Sequence, residues 1–224
     1  MKQDPSSQQG RRGCFLTIEG SEGSGKSSNI QFLSEQLEAK GIHVTLTREP
    51  GGTPLGEKLR ELLLSPQESI CDKVELMLMF AARAQHVERV IKPALEKGHW
   101  VLCDRFSDAT YAYQGGGRGM DPEIIQELEH WTIGNFKPDY TFLLDVAVET
   151  GMQRVRMRGE LDRFEQEKLD FFERVRASYL LLAEQYPERI ITIDASQPLP
   201  QVQARLDTAL SGFIQSRQGS LSNE

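Results

Sequence analysis

Residues Gly20-Ser21-Glu22-Gly23-Ser24-Gly25-Lys26-Ser27 satisfy the spacing GxxxxGK[ST] in full. Glycines in such a run let successive N–H groups turn toward one phosphate, and a helix opening at the lysine adds the positive end of its dipole. Lys26 is placed to reach β- and γ-phosphate oxygens, and the Ser27 hydroxyl is a ligand for Mg2+. The run therefore predicts a nucleoside triphosphate site. A dinucleotide site is the weaker reading, because GSEGSG lacks the GxGxxG order and the acid after the second strand is not placed for a ribose. The motif does not choose a reaction, since GTPases, ATPase motors and small-molecule kinases share it. The chain has no NKxD guanine box and no apolar run ending in two acids, and its length of 224 residues suits a small kinase.

A kinase joining two polyanions needs cations between them, because charge spreads over the moving phosphoryl group. Arg48 lies in Thr47-Arg48-Glu49-Pro50-Gly51-Gly52-Thr53, Arg105 in Asp104-Arg105-Phe106, and Arg154, Arg156, Arg158 and Arg163 crowd QRVRMRGELDRFEQE. A lone surface arginine is usually a solvated charge. At strand ends beside a phosphate loop, arginines are read instead as phosphate ligands. For 154–163 the competing reading is a salt-bridged helix end.

These groups need elements to position them. Short apolar runs at Cys14–Glu19, Ile42–Thr47, Trp100–Cys103, Tyr140–Asp145 and Ile190–Ile193 read as strands. Between them the spacing predicts helices over Ser27–Lys40, Leu55–Leu64, Asp72–Lys97 with a kink at Pro93, Pro122–Ile133, Glu149–Arg158, Lys168–Gln185 and Leu199–Ile214. Strand–helix alternation means an α/β fold with a parallel sheet covered on both faces. Glu19, Arg48, Asp104, Asp145 and Asp194 then fall at carboxyl ends of strands, where such sheets bind ligands.

Composition excludes other classes. Lys and Arg total 26 and Asp and Glu 33, a net charge of −7, which argues against a general grip on nucleic acid. No apolar run reaches the roughly 18 residues of a membrane span, and the polar start carries no secretory signal. Cys14, Cys71 and Cys103 are few, unpaired in spacing and partly within apolar runs, so they read as buried packing residues in a reducing compartment. One domain over 13–216 is expected, with flexible tails at 1–12 and 217–224.

At the arginine-bearing segments the likeness becomes specific. From about Phe15 to about Phe213 the chain resembles the bacterial thymidylate kinases, through IEGSEGSGKSS, LTREPGGTPLGEKLRELLL, FAARAQHVERVIKPAL, DRFSDATYAYQGGGRG, PDYTFLLDV and RGELDRFEQE. The resemblance implies transfer of the ATP γ-phosphoryl to dTMP with Mg2+, in the cytoplasm, by a homodimer. It also implies the P-loop nucleoside-monophosphate-kinase fold, a five-stranded parallel sheet in order 2-3-1-4-5 with a lid at about 154–166. Gly20 to Ser27 would bind ATP. Arg48 and Arg105 match the arginines that hold the dTMP phosphate, Arg83 the one that reads the thymine edge, and Thr110 and Gln114 residues lining thymine and sugar. Glu22 takes the acidic loop position near the acceptor. Asp104 and Glu49 lie beside the two arginines, to orient them or to reach Mg2+ through water, with Ser27 and Asp104 as the metal candidates. Because Gly23 replaces the loop arginine of one family type, the catalytic arginine is expected from the lid, with Arg158 first and Arg154, Arg156 and Arg163 supporting. The family's thymine-stacking Phe position is Met79 here, so either Met79 packs on the ring or Phe80 is presented. A serine common in the family is Ala109. The apolar residues of 72–97 exceed one core face, which suits a dimer seam, the alternative being a central helix packed within the monomer. The rival readings are a kinase for another nucleotide and a catalytically silent nucleotide-binding regulator.

Overall fold

The computed structural model describes residues 12–157, 159 and 161–221. Five strands form one sheet: β1 (Phe15–Glu19), β2 (Val44–Arg48), β3 (Trp100–Asp104), β4 (Tyr140–Asp145) and β5 (Ile190–Asp194). Their order is β2-β3-β1-β4-β5 and every pair is parallel, as the resemblance implies. β1 is central and buried along its whole length, which is why its sequence reads as a continuous apolar run rather than an alternating one. Leu16 and Ile18 pack into a core with Leu33 and Leu37 on one face, while Phe15 packs with Val87, Ile91 and Phe106 on the other.

The helices are α1 (Lys26–Ala39), α2 (Pro54–Leu64), α3 (Asp72–His86), α4 (Lys92–Glu96), α5 (Ser107–Thr110), α6 (Pro122–Ile133), α7 (Val148–Arg156), α8 (Leu169–Gln185) and α9 (Leu199–Leu221). Local chemistry sets several starts. Thr53 caps α2 by accepting from Gly56 N, with Pro54 at the first turn, and Asp121 caps α6 by accepting from Glu123 N.

Three boundaries differ from the sequence reading. The irregularity expected at Pro93 is a π-helical turn over Val87–Ile91, just ahead of it, joining α3 to α4. A proline ring crowds the carbonyl four residues earlier, and widening that turn relieves the contact. A second π-helical stretch, Tyr111–Gly117, continues α5 where no helix was expected, because its glycines read as loop. α9 runs to Leu221, past the expected end at Ile214 and through the start of the expected C-terminal tail, there being no proline to stop it. The remaining tail residues, 222–224, lie outside the described residues. So does the expected N-terminal tail, apart from Arg12, whose guanidinium meets Asp139 at 3.5 Å. Among the described residues, no helix is long and apolar enough to cross a membrane.

Register explains the position of the chemistry. Ile18 pairs with Asp104, Arg48 with Asp104, Glu19 with Leu143 and Asp145 with Asp194. The polar strand ends therefore share one edge of the sheet, beside the loop between β1 and α1.

Candidate active site

A cavity of about 510 Å3 opens at that edge. One end is the phosphate loop. Gly23 and Gly25 have φ of 69° and 90°, the left-handed region that glycine adopts without strain. A Cβ on Gly23 would lie 2.0 Å from the Gly151 carbonyl oxygen, so this loop has no room for a side chain at the position where one family type carries arginine. Lys26 is buried and its Nζ donates to the carbonyls of Gly20 (3.1 Å) and Ser21 (3.2 Å), while Ser24 Oγ donates to Ser21 O (2.8 Å). Burial, then the charge of Arg105, lowers the Lys26 pKa. Gly23, Gly25, Lys26 and Ser27 line the cavity; Gly20, Ser21 and Ser24 shape the loop behind it.

The other cations converge here. Arg105 has φ of 68°, unusual outside glycine, at a cost of order 1–3 kcal/mol that its surroundings must hold in place. They do so through Tyr179 Oη (3.1 Å), Tyr113 Oη (2.9 Å) and Glu22 Oε1 (2.6 Å). Burial opposes its charge, but Tyr113, Glu22, Tyr179 and Asp104 outweigh that and raise its pKa well above the ordinary value. Arg48 lines the cavity and pairs with Glu57 at 2.9 Å. Arg60, not anticipated from sequence, lines it too and donates to Pro50 O at 2.9 Å. Its signal was available, since Glu57, Arg60 and Leu64 fall at helical spacing on α2 beside the Arg48 loop.

Arg83 anchors the far end. It is 2% exposed, with Nε donating to Glu49 Oε2 (2.6 Å) and NH2 to Phe106 O (3.1 Å), while NH1 is buried without a partner. Glu49 therefore orients Arg83, not Arg48 or Arg105 as its sequence neighbourhood suggested. Its second oxygen meets His86 Nδ1 at 2.9 Å, and His86 Nε2 meets Thr47 Oγ1 at 2.6 Å. Phe80 is 1% exposed and lies under the Arg83 guanidinium, its centroid 4.9 Å from Cζ. It supports Arg83 from the core and does not line the cavity. Met79 does, so of the two alternatives it is Met79 that reaches the cavity. Thr110, Gln114, Ala109 and Phe106 complete that end.

The residues fit a hard divalent cation. Asp104 presents a buried Oδ1 with no hydrogen-bond partner, and Ser27 is exposed on the same cavity. Mg2+ uses one or two side chains plus substrate phosphates, and among the described residues no cluster of three or more His, Cys, Asp or Glu could hold a metal.

Of the arginines expected in the lid, Arg158 lies outside the described residues. Arg154 lines the cavity and its NH1 bridges Gly23 O and Ala195 O, both at 3.2 Å. Arg156 is exposed. Arg163 turns away: Nε donates to Leu63 O at 2.7 Å, and NH2 forms an ion pair with Glu75 at 2.7 Å. Cys14 and Cys103 are buried, and burial pushes the Cys14 thiol up to about 12, as packing residues require, whereas Cys71, just ahead of α3, is exposed and is not one.

Comparison with known proteins fits this geometry. The family model for thymidylate kinase matches residues 18–206. The chain belongs to the thymidylate kinase family. It is 54% identical over 208 residues to a thymidylate kinase of Pseudomonas savastanoi pv. phaseolicola, covering 92% of this chain and 99% of that one. A Teredinibacter turnerae thymidylate kinase is 53% identical over 203 residues, covering 90% and 99%. The crystal structure of the Ehrlichia chaffeensis thymidylate kinase superposes with a TM-score of 0.73 at 34% identity, covering 89% of this chain and 99% of that one.

Proposed function

We propose the following division of labour for the phosphorylation of dTMP by ATP, the activity that membership of the thymidylate kinase family gives this chain. Lys26 and the loop from Gly20 to Ser27 hold the donor phosphates. Mg2+, carried on those phosphates and reached by Ser27 and Asp104, neutralises their charge. Arg48 and Arg105, joined by Arg60, hold the acceptor phosphate in line with the donor. Arg83, Thr110 and Gln114 hold the base, with Met79 packed on its face. The acceptor oxygen is already an anion, so no side chain need act as a base; alignment and charge neutralisation carry the step. The segment 154–166 serves as the lid, Arg158 supplies the cation for the moving phosphoryl group, and closure excludes water. Residues 13–216 act as one kinase domain, in the cytoplasm and as a homodimer. The dimer reading is supported by Val74, Met77 and Ala81, exposed at helical spacing on α3, and by Ile124 and Trp131 on the adjoining α6.

The observation that carries this reading is one cavity joining the phosphate loop to the unpartnered NH1 of Arg83. Its test is ADP release with ATP, Mg2+ and a panel of monophosphates. Selective turnover of dTMP is expected, with Lys26→Ala inactive but folded. Arg158→Ala should lose about 10³-fold in kcat with little change in KM for dTMP, as arginine fingers do. A variant within about tenfold of the parent would remove Arg158 from the reaction. No ADP release with any acceptor would favour a silent regulator.

A further inference from the structure

We propose that Glu75 sets the pyrimidine selectivity of the acceptor site by holding the Gln114 carboxamide in one orientation. The proposal rests on the placement of Gln114 at the base end of the cavity. Glu75, on α3, is fully buried. Its carboxylate meets Gln114 Nε2 at 2.8 Å, Arg118 Nε at 3.3 Å and NH2 at 3.2 Å, and Arg163 NH2 at 2.7 Å. The two guanidiniums supply the opposite charge that a buried carboxylate requires.

The consequence for Gln114 is chemical. A carboxylate accepts hydrogen bonds and does not donate them, so Gln114 must turn its nitrogen toward Glu75. A glutamine amide is nearly isosteric with its flipped form, and here the choice between the two is settled by a neighbour that tolerates only one. The carbonyl oxygen is left pointing away from Glu75. Gln114 is 1% exposed and borders the cavity together with Arg83, whose partnerless NH1 can only donate.

One donor from Arg83 and one acceptor from Gln114 match a base with a ring N–H beside a carbonyl, as thymine and uracil have at N3 and O4. Cytosine reverses both groups, with an acceptor at N3 and an amino group at position 4. Sites built from buried hydrogen-bonding groups reject such analogues strongly, because the site's own polar atoms are left unpaired. Glu75 touches no substrate and is a positioning residue acting through Gln114.

The test compares kcat/KM for dTMP and dCMP. Glu75→Gln offers Gln114 either a donor or an acceptor, so the amide is free to turn. The dTMP:dCMP ratio should fall at least tenfold while KM for ATP stays within about twofold. A purely structural loss lowers both acceptors together and leaves the ratio unchanged, which would overturn the proposal. Arg118→Gln removes a neighbouring charge without touching the amide and should leave the ratio within about twofold; a fall as large as in Glu75→Gln would assign selectivity to the ion pairs instead. Gln114→Ala separates the two levels. An unchanged KM for dTMP would remove Gln114 from the base altogether, whereas a raised KM with an unaltered ratio in Glu75→Gln would remove only Glu75. Should Glu75→Gln fail to fold, neutron diffraction of the wild-type dTMP complex decides. Two deuterons on the Gln114 atom nearest Glu75 are expected, and deuterons on the atom facing the base would overturn the proposal.

Discussion

Glu19 closes β1 directly before the phosphate loop, fully buried, accepting from Phe106 N at 2.6 Å and Tyr179 Oη at 2.8 Å. Burial, then the charge of Asp108, raises its pKa from 4.5 to about 8. A raised carboxyl pKa means the folded chain holds a proton that the unfolded chain has released. The associated stability is complete below about pH 4.5 and is lost as pH rises through about 8. Glu19→Gln, which cannot ionise, should therefore gain stability relative to the parent between pH 5 and 8. Denaturant titrations at several pH values check this, and parallel pH profiles would show that Glu19 is already ionised in the folded state. That Lys26, Ser27, Arg48, Arg105, Thr110 and Gln114 fall together on one cavity was legible, because motif spacing or family likeness marks each by position. The partners of Glu49 were not: its contacts to Arg83 and His86 cross from a loop to α3, at separations of 34 and 37 residues. The choice between Met79 and Phe80 depended on the rotation of α3, which periodicity leaves open when both neighbours are apolar.

At the scale of elements, the strands were the most legible, since a buried parallel strand announces itself as a short apolar run between turn residues. Of the two π-helical stretches, the first was signalled only as a kink at Pro93 and the second was hidden. Each depends on how the chain resolves a local crowding, around Pro93 in one case and along the glycines of 115–117 in the other. Those glycines answer to α8: a Cβ on Gly116 would lie 2.0 Å from Ser178 Oγ, and one on Gly117 would lie 2.4 Å from the Phe171 ring. The phosphate loop and α7 meet in the same manner, backbone to backbone at Gly23 and Gly151. Gly23→Ala must accommodate both the 2.0 Å approach and a positive φ, so it should displace the loop. Its KM for ATP should rise by about tenfold or more, with a lowered Tm, while dTMP binding measured without ATP is retained. An unaltered KM for ATP would show that the loop tolerates the shift.

For the whole molecule, the exposed large apolar residues fall mainly on helices. Met77 is 53% and Trp131 82% exposed, and their helices α3 and α6 pack side by side. An exposed stripe of this kind is the surface that the proposed homodimer would cover. Met77→Glu should shift the protein toward monomer in sedimentation analysis while leaving the fold intact by circular dichroism. A parent that sediments as a monomer at micromolar concentration would exclude the dimer. The net charge of −7 acquires a spatial meaning at this scale, because Lys26, Arg48, Arg60, Arg83, Arg105 and Arg154 all border one cavity in an otherwise acidic chain.

Arg217, near the end of α9, donates to the backbone carbonyl of Arg12 at 3.2 Å. Arg12 precedes β1, so this contact sits at the amino edge of the sheet, opposite the carboxyl edge that bears the cavity. Arg12 and Arg217 are thus neighbours on the side of the sheet opposite the cavity. An affinity handle, a fluorophore or a surface tether joined beside Arg12 or Arg217 would lie across the sheet from the cavity. A short bridge between them would permit the chain to be reopened elsewhere as a circular permutant.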